Sequence, residues 1–302
     1  MKNTALMVGL GEVLWDLLPQ GKVLGGAPAN FAYMANMLGN EGIIASRIGS
    51  DSLGSEAGEF LAELGLATDY LQLDEQHETG TAEVATDMTG QPIFNIKDYV
   101  AWDFLEWTEK WDELALCADV ICFGSLAQRS SLSSQTIDHF LSRSRDGALR
   151  IFDVNLRQPF YSAEVLERSF EHANVVKLTD QELLHVAALF KFGGEDQENL
   201  ARRLLREFGL QLVCLTRGAR GSLLVTAKLA VEHKGILVEV ADTVGAGDAF
   251  TACLAHHLVR GTSLQQISES ANLLASWVAT QTGAMPKMDR NQPWASSARI
   301  NN

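Results

Sequence analysis

Basic charge is scarce in this sequence. Lysine and arginine number 24 against 38 acidic residues, for a formal net charge of −14. Such a chain repels nucleic acid and anionic membrane at long range, so neither is an expected partner. A small phosphate ligand is still allowed, because a local site with a metal ion overrides the global field. Cysteine is also scarce. Cys117, Cys122, Cys214 and Cys253 show no CxxC spacing and sit among apolar neighbours. They predict buried thiols in a reducing cytoplasm, not a disulfide frame or a metal site. No apolar run is long enough to span a membrane. The first apolar stretch is broken by Glu12 and Asp16 and lacks a small-residue cleavage site, so it does not read as a signal peptide. A soluble cytoplasmic protein is expected. Two common phosphate-binding motifs are missing. There is no GxxxxGK[ST], and after Gly9 and Gly11 a leucine, Leu14, stands where a dinucleotide fold wants its third glycine.

What is present is length and rhythm. The 302 residues, 46% of them hydrophobic, suffice for a large core. Short β-like runs at 5–11, 42–49, 119–125, 149–155, 174–179 and 211–218 alternate with helical patterns at 28–39, 55–65, 131–145, 162–172, 180–190 and 196–208. This alternation predicts a mainly parallel sheet covered by helices on both faces. Two stretches break it. Residues 12–25 read as a hairpin around Pro19-Gln20-Gly21. Residues 79–100 alternate like an antiparallel pair turning at Met88-Thr89-Gly90-Gln91. Together they predict a small sheet over one edge of the core, at the mouth of a site. The tail from about Lys287 has little pattern.

The chemistry concentrates in DTVGAGDAF, residues 242–250. Gly245-Ala246-Gly247 opens a helix whose first amides have no internal partner and carry the positive end of the dipole, so the segment makes a cradle for an anion. Asp248 has two readings. A carboxylate is stabilised at any helix start. It is also placed to take a proton from a hydroxyl while the amides hold a phosphoryl group under attack. A second segment, VLGGAPANFA (23–32), joins a diglycine to a helix start. Gly26 lets a polyol approach, and Asn30 offers a donor and an acceptor to hydroxyls. Asp16 could accept from the other side, or could be a solvated hairpin residue. Arg157 reads either as a substrate-side cation at a strand end or as a surface arginine paired with an acid. His256 and His257 lie too far along the helix for proton transfer. Trp102, Trp107 and Trp111 read equally as core or as the rim of a sugar site.

Taken together, GEVLWDLLP, GGAPANFA, RIGSDSLG (47–54), DVNLRQPFY (153–161), KLTDQEL (177–183), TRGARGS (216–222) and DTVGAGDAF resemble, in order and nearly end to end, the ribokinase/PfkB family of sugar and nucleoside kinases. The wording is closer to the fructokinase branch than to the ribokinase branch. The resemblance implies a single domain over 1–302, with a ribokinase-like three-layer α/β/α core and a small β-sheet lid. It implies Asp248 as base and the amides of Gly245, Ala246 and Gly247 as anion hole. Asp16, Gly26 and Asn30 would hold the sugar. Thr216, Gly218 and Gly221 would lie along ATP, with Asn272 in the helix flanking the adenine. Glu182 would help order Mg²⁺ through water. Asp242 and the Val244 carbonyl match ligand positions for K⁺, with the loop 280–284 closing that site. One departure is Thr179, where the family's NxxE motif has asparagine. The implied activity is phosphorylation of a monosaccharide, D-fructose first. 2-Keto-3-deoxygluconate, ribose or a nucleoside are alternatives, as is a catalytically silent sensor. Relatives often pair through the lid sheet, so a homodimer is a further expectation.

Overall fold

In the computed structural model, residues 4–18, 21–86, 92–157, 159–194 and 196–287 are described. The turn residues Pro19 and Gln20, the turn 88–91 and the tail beyond Lys287 lie outside them. Nine strands form one sheet: β1 (Leu6–Leu10), β4 (Glu41–Gly49), β5 (Leu71–Asp74), β8 (Val120–Phe123), β9 (Leu149–Asp153), β10 (Val175–Thr179), β11 (Leu212–Thr216), β12 (Ser222–Val225) and β13 (Ala230–His233). Their order is β13-β12-β11-β10-β9-β8-β1-β4-β5. Pairing is parallel from β11 across to β5 and antiparallel for β11–β12 and β12–β13.

The strands are short apolar runs because both faces are covered. Val8, Leu10, Ile121 and Phe123 face one core, built with Leu114, Phe140, Leu166, Leu183 and Leu200. Those side chains come from α3 (Glu109–Cys117), α4 (Ser131–Arg143), α5 (Ala163–His172), α6 (Asp180–Leu189) and α7 (Gln197–Glu207). The alternate residues Met7, Val120 and Cys122 face a second core with Phe31, Leu61, Phe250 and Leu274. These belong to α1 (Ala27–Met37), α2 (Ser52–Glu63), α8 (Ala246–Leu258) and α9 (Leu264–Ala279). The result is the expected three layers.

The two irregular stretches form a separate sheet of β2 (Leu14–Leu18), β3 (Gly21–Gly25), β6 (Gly80–Thr86) and β7 (Pro92–Ile96), in the order β3-β2-β6-β7. Both hairpins are antiparallel, and β2 and β6 join them in parallel. Residues 14–18 are thus strand, not the helix that a dinucleotide motif would need after Gly9 and Gly11. Asp51 ties this sheet to the core. It caps α2 by accepting from the Gly54 N–H at 2.7 Å, and it also accepts from the N–H and hydroxyl of Thr79, just before β6.

Three readings are refined. Cys117 is exposed, although the other three thiols are buried. It falls on the outer side of α3, where the apolar neighbours of the sequence are not spatial neighbours. Trp102 and Trp111 are fully buried core residues and do not rim a site. Strands β5, β12 and β13 were not expected from the pattern. Among the described residues, no helix is long and apolar enough to cross a membrane.

Candidate active site

In an open parallel sheet, the crevice forms at the carboxyl ends of the strands where the strand order reverses. Here β1 is that point, since the chain runs from it to β4 on one side and to β8 on the other. Glu12 follows β1, Asp153 ends β9, Thr179 ends β10 and Thr216 ends β11. The second sheet begins two residues after Glu12, so it lies at the same end.

Gly245 opens α8 in the left-handed region, with φ 79°. A side chain there would be strained, and its Cβ would stand 2.5 Å from the Ala284 Cβ. No side chain caps this helix start. The Ala246 N–H makes only a long bond of 3.3 Å to the Thr243 carbonyl. Asp242 organises the loop ahead of it, accepting from the Val244 N–H at 3.0 Å and the Gly283 N–H at 3.1 Å. The segments 242–245 and 280–284 are therefore tied together.

The Asp248 carboxylate does not cap its own helix. It reaches α1 and accepts a 2.7 Å hydrogen bond from Asn30 Nδ2. Burial, then the negative charge of Asp153, push its carboxyl up to about 6, against the Asn30 bond and the cations Lys177 and Arg157. Asn30 is itself buried, and its Oδ1 has no partner. Asp16, on β2, points at Gly25, with Oδ2 2.7 Å from where a Cβ of that glycine would be. Burial raises its carboxyl to about 6, opposed by Arg157 and helped by Asp242. At Gly26, φ is 107° and a Cβ would meet the Glu12 carbonyl at 2.5 Å, so only glycine joins β3 to α1 here. Arg157 is exposed, and its charge lowers the proton affinity of Glu12, Asp16 and Asp248 alike. It follows the turn after β9, where Asn155 takes a left-handed φ of 39°.

Other predicted residues are placed differently. The Glu182 carboxylate is committed to backbone, accepting from the Leu156 N–H and the Thr179 N–H, each at 2.7 Å. With Thr179 it forms a capping box at the start of α6. Asn272 is buried and donates to Ser222 Oγ and the Ser268 carbonyl, both at 2.7 Å. Its amide nitrogen ties α9 to β12. Gly221 is required by the protein itself, since a Cβ there would strike the His233 carbonyl at 2.1 Å. Thr216 is half-buried and Gly218 exposed, at the end of β11. His256 is buried against Asn40, with its pKa lowered to about 3, mainly by burial.

Sequence reasoning missed three charged residues. Lys177 is buried within β10 and pairs with buried Asp153. Glu12 is buried with Oε2 unpartnered, and burial raises its carboxyl to about 7. The available signal was a single charge inside an otherwise apolar run, VVKLT and GLGEVLW. A wider cleft of about 550 Å³ lies between Leu105-Glu106-Trp107 and α4, and none of the predicted site residues lines it.

Known proteins share the family signature and the fold. The profile of the pfkB family of carbohydrate kinases matches residues 19–291. The fructokinase of Salmonella typhimurium is 29% identical, over 91% of this chain and 94% of its own. A Pyrococcus horikoshii sugar kinase solved in complex with ATP superposes with a TM-score of 0.77 at 26% identity, covering 93% of this chain and 94% of that one. A fructokinase of Xylella fastidiosa with bound ATP shares the fold, with a TM-score of 0.80 at 23% identity over 93% of each chain. The matched residues take in both α8, with Asp248, and the diglycine turn at Gly25-Gly26. The chain therefore belongs to the pfkB family of carbohydrate kinases, phosphotransferases whose acceptor is an alcohol, and has the ribokinase-like fold.

Proposed function

We propose that the protein is an ATP-dependent kinase of a monosaccharide, with D-fructose as its substrate. The observation that carries this is the Asp248 carboxylate, set at an uncapped helix start and hydrogen-bonded to Asn30 across the crevice. The likeness to the Salmonella typhimurium fructokinase supports the choice of sugar.

Asp248 takes the proton of the attacking hydroxyl. Its raised pKa suits a base working near neutral pH. The amides of Gly245, Ala246 and Gly247 hold the charge that develops on the transferred group. Asp16, Gly26 and Asn30 bind the sugar, and the unpartnered Asn30 Oδ1 supports this, since a buried acceptor lacks a donor until a hydroxyl arrives. Arg157 covers the acidic crevice from the β9 side. The four-stranded sheet closes over the sugar and excludes water.

Bound ATP would supply the γ-phosphoryl group, and the uncapped start of α8 with its left-handed Gly245 fits a phosphate. Thr216 and Gly218 would lie along the nucleotide. Among the described residues, no cluster of three or more His, Cys, Asp or Glu could hold a metal ion. Mg²⁺ would sit on phosphate and water oxygens, and Glu182, with each oxygen already accepting one backbone N–H, would act on its water shell through the remaining lone pairs. Asp242 and the Val244 carbonyl offer oxygen ligands for K⁺, and the Asp242–Gly283 tie supports a closed loop there.

The test is ADP release from MgATP in KCl, with D-fructose, ribose, 2-keto-3-deoxygluconate, glucose and adenosine as acceptors. Turnover with fructose above the others is expected. Fructose turnover no higher than that of another acceptor would reassign the substrate. Ligand-induced thermal shifts without ADP from any acceptor would mark a silent binder.

A further inference from the structure

A buried ion pair lies directly under the phosphate cradle. Lys177 Nζ is 3.0 and 3.1 Å from the two carboxylate oxygens of Asp153, and both side chains are more than nine-tenths buried. Such a pair adds little net stability by itself, because desolvation offsets the attraction. Its surroundings point elsewhere. Thr251 Oγ1, one turn into α8, lies 3.0 Å from both Asp153 Oδ2 and the Gly247 carbonyl. Lys177 Nζ also stands 3.1 Å from where a Cβ on Gly247 would be. The place that a side chain of the cradle's last glycine would take is thus held by an ammonium group. Asp153, Asp248 and Thr251 border one small cavity of about 10 Å³, no more than a single water would fill, so little solvent screens the charges from one another.

The geometry points to Lys177 and Asp153 as a positioning pair for phosphoryl transfer: Lys177 supplies a fixed cation beneath Gly247, and Asp153 holds that cation and the first turn of α8 in register. The proposal rests on the reading of Asp248 as base and deepens it. The charge is secure, because Asp153, Glu182 and Asp248 outweigh the cost of burial and raise the Lys177 pKa. Asp248 faces Asp153 and Lys177 from β9 and β10, Arg157 from the loop after β9, Glu12 after β1, Cys122 on β8 and the Asn30 amide on α1. Within that set the two members of the pair act oppositely on its proton affinity, Asp153 raising it and Lys177 lowering it.

This opposition makes the test sharp. The kcat/KM–pH profile is measured for the wild type, Lys177→Met, Lys177→Arg, Asp153→Asn and the double variant Lys177→Met/Asp153→Asn, which leaves no buried charge unpaired. Lys177→Met is expected to move the acid limb up by about one pH unit and to lower kcat about 10²-fold. Asp153→Asn is expected to move the limb down, and Lys177→Arg to recover part of the rate. Binding of β,γ-methylene ATP should weaken about tenfold in Lys177→Met while ADP binding holds, as expected of a cation beneath Gly247 that acts on the terminal phosphoryl group. Limbs that move together or stay fixed while only Tm falls would reduce the pair to a structural one. A double variant with wild-type kcat would do the same. The two readings fail separately. If Asp248→Asn keeps its rate, the base is elsewhere, and the contrast between the ATP analogue and ADP still decides Lys177.

Discussion

At the scale of single residues, Asp248 carries opposing demands. A carboxyl raised to about 6 from 3.8 binds its proton more tightly folded than unfolded. Its ionisation therefore costs stability as pH rises from about 4 through 6, and the cost is absent below that window. Asp248→Asn should accordingly lower kcat by about 10²–10⁴-fold. It should also raise Tm by roughly 2–4 °C at pH 8, about the effect of 1 kcal/mol in a large domain, with the gain vanishing near pH 4. Steady-state rates and melting curves on one preparation check both. An unchanged rate removes Asp248 as base, and a lower Tm at pH 8 removes the burial argument. Asp242 is tested by salt. If it holds a cation, K⁺ should raise the rate over Na⁺ in the wild type and not in Asp242→Ala, and equal rates in the two salts would exclude that role.

Elements show why part of the molecule was legible beforehand and part was not. The runs that became β1, β4, β8, β9, β10 and β11 are apolar on both faces and flanked by helical periodicity, so type and order could be read. Strands β12 and β13 have four residues each and pair antiparallel. They follow a glycine-rich loop, and only their fit against β11 makes them strands. At the site, GAGD and GGAPAN were readable because small residues and a polar residue at a helix start have few other uses. Lys177, Asp153 and Glu12 were not, because a charge inside an apolar run looks the same whether it ends on solvent or on a partner from another strand. Asp51 was quoted only as part of RIGSDSLG. In the structure it both caps α2 and grips Thr79 at the start of β6. Hydrogen bonds from Thr79 and Gly54 lower its pKa against burial, so its contribution is complete above the ordinary value of 3.8 and is lost as pH falls below it. Asp51→Ala should cost about 1–2 kcal/mol at pH 7 in denaturant melts and also raise the KM for sugar. A stability loss with KM unchanged would separate the cap from the lid.

At the scale of the whole molecule, the described residues form a nine-stranded sheet between two apolar cores, with a four-stranded sheet at the carboxyl end of the strands. That second sheet ends in β3 and β7, and the outer edge of a sheet can serve as a template for pairing with another chain. A homodimer through this sheet is therefore expected, and light scattering across a protein dilution series checks it. A monomer at all concentrations would show the edges are protected in some other way. The Asn30–Asp248 hydrogen bond has a consequence in time as well as in space. Its partners are 218 residues apart in sequence. Closing so long a loop comes late for a chain whose parallel pairings are themselves non-local. The helices can regain their circular dichroism while the two halves of the crevice are still separate. In refolding from denaturant, catalytic activity should then return with the slowest phase and trail the helical signal.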